Sequence, residues 1–257
     1  MKRLPRRLDH CEEATLVEHL EELRRRILVM LAALALGTIV AFLFHGQILE
    51  WLNRPLPPDH RRVVTFGVTE PFTVSLTVSI YTGFLLALPT ILWQAWSFFA
   101  PAVDPKSERR VLGLASLATL LGAGGLAFGY LVLLPRAIHW LTNYDQAQFH
   151  ILIRAQDYYR FVSTVLLGVV CVFELPMVVL GLVHLGVLTS RRLRKNRRLG
   201  YFVVAVIALA LPGPDPMTTA LELLPMWILF EGSIWLAVLT EHRQARLATA
   251  HTAAATH

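Results

Sequence analysis

Ile27 to Phe44 is an apolar run without a single charge, and it follows directly on three arginines, Arg24, Arg25 and Arg26. A helix over it rises about 27 Å at 1.5 Å per residue, close to the ~30 Å hydrocarbon core of a bilayer. Five more apolar runs follow, near 73–97, 111–135, 160–186, 199–212 and 219–239. With 55% hydrophobic and 16% charged residues, the 257-residue chain has too little polar side chain to coat a soluble globule. Backbone in lipid must satisfy its own hydrogen bonds, so the expected fold is all-α, a polytopic membrane protein of six transmembrane helices. The first run follows a basic segment, as in a signal peptide. No small-residue cleavage site follows it, and it is expected to stay attached.

Three regions result: a charged amphipathic segment at 1–26, a membrane domain at 27–239, and a tail at 240–257, rich in alanine and threonine and expected to be disordered. Six spans place both termini on one side, and lysine and arginine decide which. Residues 1–26, 99–110, 187–198 and 240–257 hold 18 of the 24, so both termini are expected to be cytoplasmic. The net charge of +6 follows from this asymmetry and reads as membrane anchoring rather than nucleic-acid binding. Cys11 lies in the charged segment and Cys171 within a span, so neither a disulfide nor a thiolate metal site is expected.

Pro89, Pro135, Pro176 and Pro225 each interrupt an apolar run, where proline removes a backbone hydrogen bond and bends the helix. Bent helices would form a concave wall, or simply pack irregularly. The last two runs are expected to be short. Leu199 to Leu211 gives about 20 Å of helix, and the proline-rich link from Leu211 to Thr219, with Asp215 in it, then forces a turn. A plain connecting turn and a locally thinned bilayer are both open for this hairpin.

Carboxylates mark the candidate sites. In Leu16 to Ile27, Leu16, Leu20, Leu23 and Ile27 recur at helical spacing, while Glu18, Glu21, Glu22 and the three arginines crowd the remaining surface. Such a helix lies at a membrane surface, where its acids face an incoming basic ligand. Between the second and third spans, an aromatic cluster and two prolines lead to Glu108, whose plainer role is a helix-start carboxylate favoured by the dipole. Glu174 stands mid-span, where a charge costs about 2.5–3.5 kcal/mol, and reads either as a packing group bonded to a backbone oxygen or as a polar contact for a partner helix or a wet cavity. Glu222, close to the Asp215 link, is expected to snorkel to the interface.

The strings EHLEELRRRI, SFFAPAVDPKSERR, AFGYLVLLP, FELPMVV, RRLRKNRR, LPGPDP and LLPMWILFE occur in this order. Together they resemble the TatC family, the six-span receptor subunits of the twin-arginine protein translocase, over about Leu16 to Ala237. The resemblance implies a signal-peptide site at Glu22, with His19, Arg24 and Arg26 at the other positions of the same motif, and at Glu108 and Phe98 of the loop. It also implies roles for Pro55 and Asp215 on the periplasmic side and for Glu174 within the membrane. Two adjacent arginines on a substrate present planar forks that carboxylates pair bidentately. Between Phe98 and Glu108 this chain carries one residue more than some members; Thr219 stands where glutamine is frequent, and Glu222 where an apolar residue is usual.

What the resemblance implies is a non-enzymatic receptor without cofactor or metal, in the bacterial inner membrane. It would bind twin-arginine signal peptides of folded precursors and offer grooves to the single-span proteins TatA and TatB, as a homo-oligomer within the receptor complex. Thr219, Glu222 and Glu174 would be intramembrane polar contacts for those partners. Export would run on the proton-motive force, since the chain contains no GxxxxGK[ST] loop. The competing class is a proton-coupled small-solute transporter, which also needs membrane carboxylates and bent helices. An intramembrane hydrolase lacks its motifs, since neither GxSG nor HExxH occurs.

Overall fold

The computed structural model describes residues 16–99, 108–144, 151–184, 188–210 and 216–255, with side chains described at 20–98, 112–144, 151–183, 188–210 and 216–239. They are helical almost throughout. Strand pairing among them is confined to one isolated parallel bridge, Val64 with Arg154.

The first helix, α1 (Leu16–Leu43), runs unbroken from the charged segment into the first apolar run. A short α2 (His45–Asn53) and a 3₁₀ turn (Pro58–His60) follow at its far end. The chain returns along α3 (Glu70–Phe99), then crosses again through α4 (Glu108–Phe128), a π-helical segment (Gly129–Leu133) and α5 (Leu134–Asn143). The next crossing is α6 (Ala155–Phe173) with α7 (Leu175–His184). After a short basic α8 (Ser190–Lys195) come α9 (Arg197–Ala210) and α10 (Pro216–Ala255).

Five stretches are long and apolar enough to cross a membrane: Leu20–Leu43, Glu70–Phe98, Leu112–Asn143, Ala155–Val183 and Pro216–Leu239. The sixth run is α9, whose 14 residues span about 21 Å and fall short of the hydrocarbon thickness. Only one of the two helices expected to be short is so. The apolar part of α10, Pro216–Leu239, has 24 residues, as many as Leu20–Leu43. Where the composition leads to an expectation of a disordered tail from 240, α10 continues to Ala255, since alanine and leucine there favour helix.

The prolines act in two ways. Before Pro135 the hydrogen-bond ladder widens into the π segment, and before Pro176 the helix is interrupted by a single turn residue, Glu174, between α6 and α7. Pro89 and Pro225 instead lie inside uninterrupted helices.

Only 6% of the apolar stretch of α1 is buried, and this helix packs chiefly on α3. The two meet backbone to backbone. A Cβ on Gly37 would lie 2.6 Å from the Gly83 carbonyl oxygen, and one on Gly83 would lie 2.5 Å from the Thr38 amide nitrogen. Small residues let membrane helices approach this closely, which is how α1 gains dispersion contacts that lipid alone would not provide.

The main core lies toward the end of the bundle opposite the N-terminus, where Leu56, Val78, Leu133, Leu134, Val162 and Val165 are almost fully buried. Two tyrosines fasten α2 over it. The Tyr158 hydroxyl donates to the Leu52 carbonyl at 2.7 Å, and Tyr130 donates to the Trp51 carbonyl at 2.8 Å while its ring stacks on the Trp51 indole at 4.3 Å.

Candidate functional site

The N-terminal end of the bundle is built around Arg26. Its Nε donates to Glu22 Oε1 at 2.9 Å, one helical turn back, and its terminal nitrogens reach across to α3, to the Gln94 carbonyl and Oε1 at 3.3 Å and the Ser97 carbonyl at 3.1 Å. The last carbonyls of a helix have no intrahelical donors and carry partial negative charge, so a guanidinium is well placed there. The charged segment is therefore tied to the end of α3 rather than lying loose at a surface. Phe98 follows Ser97 directly and is half-buried.

This arrangement leaves one carboxylate oxygen uncommitted. Arg26 takes Glu22 Oε1 with two nitrogens, while no described residue bonds Oε2. The Glu22 side chain keeps 42% of its surface exposed against 19% for Arg26. An incoming guanidinium thus finds a single free oxygen, and the bidentate fork expected from sequence requires Arg26 to give way. Arg24 is exposed. Glu108 is the first residue of α4, the helix-start position the sequence suggests. The side chains of His19 and Glu108 lie outside the described ones.

Glu174 occupies the break between α6 and α7 and is only 7% exposed. Its carboxylate lies against Gly122 of α4, where an added Cβ would meet Oε1 at 3.0 Å and a Leu88 methyl at 2.9 Å. Neither carboxylate oxygen finds a hydrogen-bond partner among the described residues. The backbone bond that would make Glu174 a packing group is therefore not formed, although its own carbonyl accepts from the Met177 and Val178 amides at 3.0 Å.

Glu222 corrects the expectation of snorkelling. It is 3% exposed and lines a small cavity with Phe128, Val169, Val172, Phe173 and Met226. Six residues into α10, it lies about 9 Å along the helix, on the face turned toward α6. Glu174 faces α4 and Glu222 faces α6, so the structure does not join them in one pocket. Thr219 is half-buried one turn before Glu222, and Pro55 is half-buried in the turn after α2. Asp215 lies outside the described residues.

Two clusters escape sequence reasoning. At the opposite end, the nearly buried Glu70 carboxylate accepts from Arg154 Nε at 3.1 Å and from the amides of Phe66, Gly67 and Gln156. That hydrogen bond raises the Arg154 pKa above its already high ordinary value. The Val64 bridge lies beside it, with bonds of 2.9 and 2.8 Å to Ile153 and Ala155. Between α9 and α10, Tyr201 donates to Glu231, which also pairs with Arg197 at 3.5 Å. An acid directly before a helix proline, Glu70-Pro71, is the one local signal that marks a capping carboxylate.

These features define a class: an all-helical, multi-pass membrane protein with charged side chains at the N-terminal end of its bundle and buried carboxylates within its spans. Residues 18–225 match the family model for TatC, the Sec-independent protein translocase protein. TatCd of Bacillus subtilis is 36% identical over 93% of this chain and 98% of its own length. TatC of Carboxydothermus hydrogenoformans is 34% identical over 87% and 92%. A crystal structure of the twin-arginine translocase receptor TatC has a TM-score of 0.76 at 30% identity, covering 86% of this chain and 99% of that one. The chain belongs to the TatC family of Sec-independent protein translocase proteins. It is a membrane component of protein transport.

Proposed function

We propose that this chain is the receptor of its translocase. It binds the twin-arginine signal peptide of a folded precursor through Glu22 and Glu108, with Phe98 beside the apolar stretch of the signal. Its N- and C-termini face the cytoplasm, a reading supported by the lysine and arginine distribution, and the membrane is the bacterial inner membrane. The observation that carries this reading is the half-exposed Glu22 carboxylate with one oxygen uncommitted, held on a corner that Arg26 ties to α3. A carboxylate fixed in this way recognises arginine in preference to lysine, because the planar guanidinium reaches a free oxygen while stacking on the Phe98 ring, which an ammonium cannot do. His19 and Arg24 orient the same motif.

TatA and TatB dock as single helices along the membrane faces, with the half-buried Thr219 as a polar contact and with Glu174 and Glu222, now covered by α4 and α6, becoming polar contacts when those helices shift, and several copies of the chain assemble in one complex. The proton-motive force drives export, and the chain itself performs no catalysis. Pro55 and Asp215 shape the periplasmic turns.

A photo-crosslinking amino acid at Phe98, in the full-length protein reconstituted in nanodiscs, tests the site. A twin-arginine peptide is expected to crosslink and its twin-lysine counterpart to crosslink far less, with the difference removed by Glu22→Ala. Equal crosslinking of both peptides would overturn the assignment.

A further inference from the structure

Between the first turns of α3 and α6, at the end of the bundle opposite the N-terminus, lies a cavity of about 250 Å³ lined by Val74, Thr77, Tyr81, Gln156, Tyr159 and Arg160. Neither the signal-peptide reading nor the partner grooves use it. Its lining is rich in donors and contains no carboxylate. The Gln156 amide oxygen is taken by Arg154 at 3.1 Å, which leaves the NH₂ group uncommitted. Thr73, Ser75, Ser79 and Thr164 all return their hydroxyls to a carbonyl four residues back; the Thr77 hydroxyl makes no such bond. Tyr159 is 7% exposed, and its hydroxyl has no hydrogen-bond partner among the described residues. Arg160 is exposed, and no described carboxylate lies within ion-pair reach of it, although Asp157 stands one turn away. Glu70, the other acid nearby, is occupied by Arg154.

Uncommitted donors around one unpaired guanidinium make an anion site, because an oxyanion gives the half-buried Thr77 and Gln156 donors and the Tyr159 hydroxyl an acceptor and the guanidinium a counter-charge. Depth selects the anion. Arg160 lies five residues into α6 and Thr77 seven into α3, about 7.5 and 10.5 Å from the starts of two 29-residue stretches, near the hydrocarbon boundary rather than the bilayer centre, where the long Arg160 stem lets its guanidinium reach up to headgroup phosphates. Beside Thr77 and Tyr81 on α3, Leu76 and Ile80 are 39% and 48% exposed, an apolar strip along which an acyl chain continues. We propose that this cavity binds the phosphate of a phospholipid, Arg160 facing the phosphodiester and Thr77, Gln156 and Tyr159 donating to its oxygens. A phosphodiester carries one negative charge, matching the single unpaired arginine.

The test uses the full-length protein in detergent, with dioctanoyl phosphatidylglycerol as ligand and native mass spectrometry as readout. Arg160→Gln is expected to weaken binding about tenfold, the loss of one charge-assisted hydrogen bond. Thr77→Val weakens it less, and Arg136→Gln, outside the cavity, leaves it unchanged. On the wild-type protein, dioctanoylglycerol, which lacks the phosphate, is expected not to compete, and inorganic phosphate to compete only at far higher concentration. Equal affinity of the wild type and Arg160→Gln would overturn the proposal. Inorganic phosphate competing as tightly as the lipid would overturn its lipid source and make this a site for a soluble anion.

Discussion

Glu22 and Arg26 divide the work of one corner. Glu22 offers the free oxygen, and Arg26, bonded to Gln94 and Ser97, fixes where that oxygen stands. Arg26→Gln is therefore expected to weaken twin-arginine peptide binding by about tenfold through lost positioning, while the preference over twin-lysine persists because Glu22 remains. Fluorescence titration with both peptides separates the two effects; collapse of the preference would place Arg26 in contact with the peptide. Glu174 presents the opposite situation, a buried carboxylate without a hydrogen-bond partner among the described residues. Replacing it with leucine removes that unmet demand, so Glu174→Leu is expected to raise thermal stability in detergent, by about 1–3 kcal/mol. A lower Tm would mean that the carboxylate is satisfied and structurally required. Sequence made Glu22 visible, because an acid among arginines before a span is conspicuous. It could not reveal what Arg26 and Glu70 hold across the bundle, since those partners lie 68 to 86 residues away.

The helix α1 depends on its crossing with α3, since most of its apolar surface faces outward. At Gly83 a Cβ would meet the Thr38 backbone at 2.5 Å, and backbone atoms do not yield as a flexible side chain does. Gly83→Ala is expected to lower stability by about 1–3 kcal/mol, with reduced disulfide trapping between cysteines placed in α1 and α3. Gly113→Ala, where nothing lies within 4 Å of the added methyl, serves as the control that leaves Tm unchanged or slightly higher. The helices themselves were legible from their apolar runs, and so were the interruptions before Pro135 and Pro176. That Pro89 and Pro225 would sit in uninterrupted helices was not, because the missing proline amide costs a single hydrogen bond, which a membrane helix tolerates without being interrupted. Glu222 was misjudged for a related reason: distance from a link says how deep a residue lies but not which way its face turns, and α6 covers that face.

For the molecule in its bilayer, the short α9 matters most. Its ~21 Å leaves a mismatch of several ångströms with an undisturbed hydrocarbon core, and neighbouring α10 is long enough to span unaided. Nanodisc cryo-EM is expected to show the bilayer thinner beside α9 than beside α1; uniform thickness around the protein would reject local thinning. The all-helical, multi-pass architecture was readable from composition and run length alone. The polar fastening at the end opposite the N-terminus, where Glu70, Arg154 and the Val64 bridge join α3 to α6, was not, since it is made by tertiary contacts that no local pattern encodes. The central claim, recognition of paired arginines at the N-terminal end, is tested most directly by the affinity of a labelled twin-arginine signal peptide for the full-length protein in nanodiscs, beside the twin-lysine peptide and the Glu22→Ala and Glu108→Ala proteins. The account predicts a preference for arginine that both variants abolish; equal binding of the two peptides, unaffected by either substitution, would contradict it.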